Sequence, residues 1–103
     1  MVDLPDIDGE VLAEKRTKLK KPKLFKVLLH NDDYTTMDFV VFILKHVFRR
    51  SDADAVTIML KVHREGIGIA GVYPYEIAKA KCEKALNLAR ANEFPLLCTL
   101  EEE

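Results

Sequence analysis

The spacing of apolar residues changes several times along this chain, and each change marks an element. LFKVLLH, Leu24 to His30, is a short apolar run that begins just after Pro22 and stops at the polar string NDDYTT. Its length and its bounding turn residues predict a first strand. Apolar positions resume in MDFVVFILKHVFRR, where Thr35 with Asp38 three residues on makes a capping-box-like start, so a first helix is expected from about Thr36 to Phe48. Ser51 with Asp54 repeats the signal, and Ala55, Ile58, Met59 and Val62 then recur at helical spacing until Gly66 offers a C-cap, which predicts a second helix. IGIAGVY mixes β-formers with Gly68, Ala70 and Gly71, and predicts a second strand that another element approaches closely. Pro74 suits a helix start, and Ile77, Ala78, Lys81, Ala85, Leu88 and Ala89 trace a third helical stripe that ends near Asn92. Pro95 and LLCTL then predict a last strand, followed by Glu101, Glu102 and Glu103.

The order β-α-α-β-α-β covers its apolar faces most simply as a small two-layer α+β sandwich, a three-stranded antiparallel sheet packed on three helices. The pattern does not give the strand order. Residues 1–22 have a different character: Asp3, Asp6, Asp8, Glu10 and Glu14 precede Lys15, Arg16, Lys18, Lys20 and Lys21, with few large apolar groups. Such a composition cannot offset its ordering entropy, so residues 1–22 are expected to form a flexible N-terminal extension and residues 23–103 the folded core.

Composition narrows the class of function. A chain of 103 residues, 49% of them apolar, fits one domain around one core. A net charge of −1 gives no general attraction to nucleic acid or anionic membrane, and the basic run from Lys15 to Lys26 holds one aromatic, Phe25, which the first strand claims. Neither partner is expected. No apolar run approaches the ~20 residues that cross a bilayer, and the first residues are acidic where a signal peptide is basic, which points to a cytoplasmic protein. Cys82 and Cys98 lack C-x-x-C spacing and read as buried small hydrophobes. His30, His46 and His63 fall on different elements without metal-ligand spacing, and there is no Gly-framed nucleophile or glycine-rich phosphate loop. The expectation is no metal, no cofactor and no enzyme activity.

Two places retain chemical interest. Asn31, Asp32 and Asp33 supply ordinary turn chemistry, since their side chains bond nearby backbone amides. Asn31 and Asp33 also offer an amide oxygen and a carboxylate at a helix start, a combination that suits an ammonium group. His63 shares a helical stripe with Met59 and Val62, and Met37 and Val40 lie on the first helix; residues so placed are more often core than pocket, and periodicity does not separate the two.

Four stretches, LFKVLLHNDDYTTMDFV, MLKVHREG, GVYPYEIAKAK and FPLLCTLE, resemble in their order and spacing the ClpS adaptor family, over about Pro22 to Glu101. The resemblance implies a monomeric adaptor, not an enzyme, for N-degron peptides and proteins. Such an adaptor binds the free α-amino group and the large hydrophobic first residue (Leu, Phe, Tyr or Trp) of N-end-rule substrates. It delivers them to a Clp AAA+ unfoldase for degradation, docking on the N-terminal domain of a ClpA-type partner. Carried over by the resemblance, the α-amino contacts fall on Asn31, Asp32, Asp33 and His63. The side-chain pocket falls on Thr35, Met37, Val40, Met59, Val62 and Leu96, and the unfoldase interface on Glu76 and Lys81. The extension would engage the unfoldase pore. Two positions depart from the family's pattern: Thr36 stands where many members have proline, and His30 where an apolar or small residue is expected. A second reading, a ribosomal-stalk-like factor-binding domain, shares the fold class but has no use for an ammonium site at Asn31, Asp33 and His63.

Overall fold

A computed structural model describes residues 21–103. The expected extension, residues 1–22, lies outside the described residues except for Lys21 and Pro22. The elements run β1 (Leu24–His30), α1 (Met37–His46), α2 (Asp52–Glu65), β2 (Ile67–Pro74), α3 (Tyr75–Ala91) and β3 (Leu97–Glu102). Both neighbours of β1 are antiparallel to it, and the strand order is β2-β1-β3. The first strand in sequence is therefore the middle strand of the sheet. Among the described residues no helix is long and apolar enough to cross a membrane.

Alternation along β1 places Val27 and Leu29 at 0% exposure, while Lys26, Leu28 and His30 point to the other face. Ile67, Ile69 and Val72 of β2 and Leu97 of β3 lie exposed, whereas Gly68, Ala70 and Cys98 are buried. The helices thus cover one face of the sheet. Their buried stripes, Phe39, Val40, Ile43 and Leu44 from α1, Ala55 and Val62 from α2, and Ala78, Cys82, Ala85 and Ala89 from α3, complete one core with Val47, Phe48 and Leu96. Small residues on α3 let it lie close to the sheet. The Cys82 thiol donates to the Cys98 carbonyl at 3.1 Å, and burial, together with the neighbouring Cys82, pushes the Cys98 thiol up from its ordinary value.

Helix ends follow local chemistry, with one difference from expectation. The N-cap of α1 is Thr36, not Thr35: its hydroxyl accepts from Phe39 N–H at 3.1 Å. Thr35 is already engaged in the loop, and Asp38 sits in the first turn, where the helix dipole favours an acid. Ser51 caps α2 through Asp54 N–H, and Gly66 ends it at φ +90°, a left-handed conformation that glycine adopts without strain. The proline at the head of α3 is the N-cap itself, so β2 passes into the helix with no loop between them. The C-terminal part of α1 is pinned from two sides. Lys81 Nζ donates to the Val47 carbonyl at 2.8 Å, and Arg50 Nε donates to the Ala70 carbonyl, also at 2.8 Å. Ala70 is the extra residue of a bulge, since Val27 pairs with Gly71 while Leu28 pairs with Ile69.

Close approach explains the small residues of β2. A Cβ at Gly68 would lie 2.7 Å from Val62 Cγ2, so α2 rests almost directly on the strand backbone. Gly68→Ala is expected to lower stability by about 1–3 kcal/mol through overpacking against Val62, read as a reduced midpoint in urea unfolding.

Candidate functional site

The cleft of interest forms where β1 ends. After His30 the chain must turn away from the sheet, and the Asn31 N–H donates to the Gly66 carbonyl at 2.9 Å, which ties the loop to the C-cap of α2. His63 is in the last turn of that helix. One backbone bond therefore draws together residues more than thirty positions apart in sequence.

The loop itself is built by Asp32. Its Oδ1 accepts from Tyr34 N–H at 2.8 Å and Thr35 N–H at 2.7 Å, and its Oδ2 accepts from the Thr35 hydroxyl at 2.7 Å. Burial pushes the Asp32 carboxyl up, but the hydroxyl and the two amides outweigh it and hold the group below its usual range. Asp33 is exposed and takes no part in that turn. Two adjacent acids thus stand in different situations, one committed to the backbone and one free to face a ligand.

The loop, the first turns of α1 and the C-terminal half of α2 enclose a cleft of about 360 Å³, lined by residues 31–37 together with Val40, Met59, Val62 and His63. Its polar lining includes Asn31, Asp33 and His63, and its apolar lining Met37, Val40, Met59 and Val62. Val40 at 6% and Val62 at 2% exposure belong to the core as well, so part of the apolar lining is the outer surface of the core itself, while Met37 is 45% exposed. Thioether side chains are flexible and adapt to ligands of different shape.

Of the residues expected in the site, nine meet in this cleft and Leu96 does not line it: at 4% exposure it is packed in the core cluster. Tyr34 and Thr36 line the cleft without having been expected there. Their position within the polar string was the available signal, but a hydroxyl and a ring in a turn look alike for solvent and for ligand. Glu76 is exposed in the first turn of α3. Lys81 is half-buried and occupied: besides its bond to Val47 it lies 5.3 Å above the Tyr73 ring. It helps to hold α1 in place whatever else it contacts. His30 finds a partner on β3, its Nε2 lying 2.7 Å from the Thr99 hydroxyl, which accounts for a polar ring at the end of the central strand. Among the described residues no cluster of His, Cys, Asp and Glu is arranged to hold a metal.

The Asp32 network gives a pH dependence of fixed sign. A carboxyl lowered in the folded protein stabilises the loop above its unfolded value, 3.8, and that contribution is lost as pH falls through the lower folded value. Amide exchange at Tyr34 and Thr35, corrected for intrinsic rates, is expected to stay protected from neutrality down to about pH 4 and to lose protection progressively as pH falls below 3.8. Asp32→Ala should remove the protection at every pH while the sheet amides keep theirs.

Comparison with known proteins identifies the family. The family model described as "ATP-dependent Clp protease adaptor protein ClpS" matches residues 20–99. The chain is 53% identical over 95 residues to the ATP-dependent Clp protease adapter protein ClpS of Desulfatibacillum aliphaticivorans, covering 92% of this chain and 91% of that one. It is 51% identical over 98 residues to the protein of the same name from Myxococcus xanthus, covering 93% and 92%. Among solved structures, ClpS2 of Agrobacterium tumefaciens bound to L-phenylalaninamide superposes with a TM-score of 0.77 at 43% identity, over 80% of this chain and 99% of that one. The factor-binding alternative is set aside, and the chain belongs to the ClpS family of adaptors for the ATP-dependent Clp protease.

Proposed function

We propose that the cleft captures the free N-terminus of polypeptides that begin with Leu, Phe, Tyr or Trp, and that the protein hands these N-degron substrates to a ClpA-type AAA+ unfoldase for degradation. The observation that supports this reading is a single cleft lined both by an amide, a carboxylate and an imidazole and by apolar side chains. An α-ammonium has three protons, and Asn31 Oδ1, the Asp33 carboxylate and a ring nitrogen of His63 offer three acceptors. The first side chain then points toward Met37, Val40, Met59 and Val62. Asp32 and Thr35 shape the loop that presents these groups, and Leu96 supports the floor from behind.

L-phenylalaninamide, bound by the Agrobacterium relative, has the same three parts: a free α-amino group, a large apolar side chain and an amide in place of the next peptide bond. Burial of a Leu or Phe side chain contributes ~1.5–3 kcal/mol, and each charge-assisted hydrogen bond roughly as much. After association costs, micromolar affinity, about −8 kcal/mol, is a reasonable scale. Each half alone falls short of it, and this is the basis for selecting true N-termini: an internal Leu has no ammonium, and an acetylated one has lost the charge and two donors.

The remaining assignments rest on family membership. Glu76 and Lys81 face the N-terminal domain of the unfoldase, residues 1–22 form the extension that engages its pore, the adaptor works as a monomer, and its compartment is the cytoplasm.

Two measurements test the reading. Asp33→Ala should weaken binding of a Leu-initiated fluorescent peptide by about 2 kcal/mol or more, roughly thirtyfold, with unchanged unfolding. Near-wild-type affinity in that variant sinks the ammonium site. Deletion of residues 1–20 should leave peptide affinity as it is and abolish degradation of an N-degron substrate by the reconstituted unfoldase and peptidase. A truncated protein that no longer binds peptide contradicts this division of labour.

A further inference from the structure

A ligand held by its α-amino group and its first side chain must send the rest of its chain out of the cleft, and the lining leaves one free group on the way. Of the cleft residues outside the proposed ammonium contacts and the apolar lining, Asp32 and Thr35 are bonded to each other, and the Thr36 hydroxyl caps α1. Tyr34 is the remaining one. The residue is 76% exposed, and its ring makes none of the ring–ring contacts found among the described residues. Its backbone, by contrast, is fixed, because the amide donates to Asp32 Oδ1 at 2.8 Å within a loop tied to Gly66. A bulky aromatic side chain on a pinned backbone, held out at the rim with no partner of its own, is a poor contributor to the fold and a ready contact for a ligand.

We propose that the Tyr34 ring forms a subsite for the side chain of the second residue of the bound polypeptide, and that it favours arginine or lysine there. The inference rests on the N-terminus-binding reading of the cleft and extends it to a position that reading does not address. The chemistry follows from the surroundings. An aromatic face attracts a guanidinium or ammonium placed over it, and Asp32 and Asp33, its neighbours in the same loop and in the cleft lining, supply negative charge beside it. A glutamate at the second position meets those carboxylates and gains nothing from the ring. The ring and the acids act differently, however. Carboxylates distinguish positive from negative side chains at a distance, whereas the ring rewards only a side chain that reaches it.

Peptides that begin Leu-Arg, Leu-Ala and Leu-Glu and are otherwise identical separate these contributions when titrated by fluorescence anisotropy against wild type, Tyr34→Ala and Tyr34→Phe. In wild type, Leu-Arg is expected to bind about threefold tighter than Leu-Ala, the scale of an exposed cation–π contact. Tyr34→Phe keeps the face and should keep the ratio. Tyr34→Ala should bring it close to one while Leu-Glu remains the weakest of the three. Because the ring is exposed, neither substitution threatens the fold, and unchanged unfolding curves confirm it. An equal Leu-Arg to Leu-Ala ratio in wild type and Tyr34→Ala overturns the subsite and assigns any preference to the carboxylates alone. A ratio of one in wild type overturns it too. If Leu-Ala binds no better than its acetylated form, the reading of the cleft fails, and the subsite with it; normal Leu-Ala binding with no effect of Tyr34 removes the subsite only.

Discussion

The hydrogen bond from the Asn31 amide to the Gly66 carbonyl is the constraint on which the site depends. It closes the space between the end of β1 and the end of α2, and it exists because α2 stops in a left-handed glycine that reverses the chain directly into β2. Ile67 then pairs with His30, so the same reversal that starts the second strand fixes how far the polar loop stands from His63. A residue other than glycine at position 66 would bear the strain of φ +90° at the point where the acidic loop and the imidazole are brought together.

Core and cleft share material. Val40 and Val62 are counted in both, and Gly68 presses on the back of Val62. A floor of this sort is stiff, because close-packed interiors transmit displacement instead of absorbing it. The adaptable groups of the lining are Met37 and Met59, whose thioether side chains are flexible. On the proposed reading of the cleft, a rigid floor with adaptable thioethers accommodates large side chains of different outline without loosening the ammonium contacts.

Much of this was legible in the sequence. The six elements, the Ser51 and Gly66 ends of α2 and the tight packing on β2 all follow from local pattern, and the quoted stretches carried the family. What escaped was non-local or degenerate. Nothing in LFKVLLH says that it pairs on both sides, since the order β2-β1-β3 depends on paired residues up to 77 positions apart, Phe25 with Glu102. Thr35 and Thr36 are equivalent as candidate caps until Asp32 claims one of them. Adjacent aspartates differ in role only through the direction in which the loop turns each side chain. Lys81 reads as a surface charge, and its reach to Val47 is visible only once α1 and α3 are side by side.

The two cysteines leave a practical mark. Both are buried, one thiol spends its proton on a carbonyl, and burial disfavours the thiolate of the other. Since the thiolate is the reactive form, neither should compete appreciably for an alkylating reagent while the protein is folded. A single cysteine introduced on the surface would therefore be the chain's one readily labelled position, which makes the native sequence, without prior removal of its thiols, a suitable background for attaching a probe near the cleft.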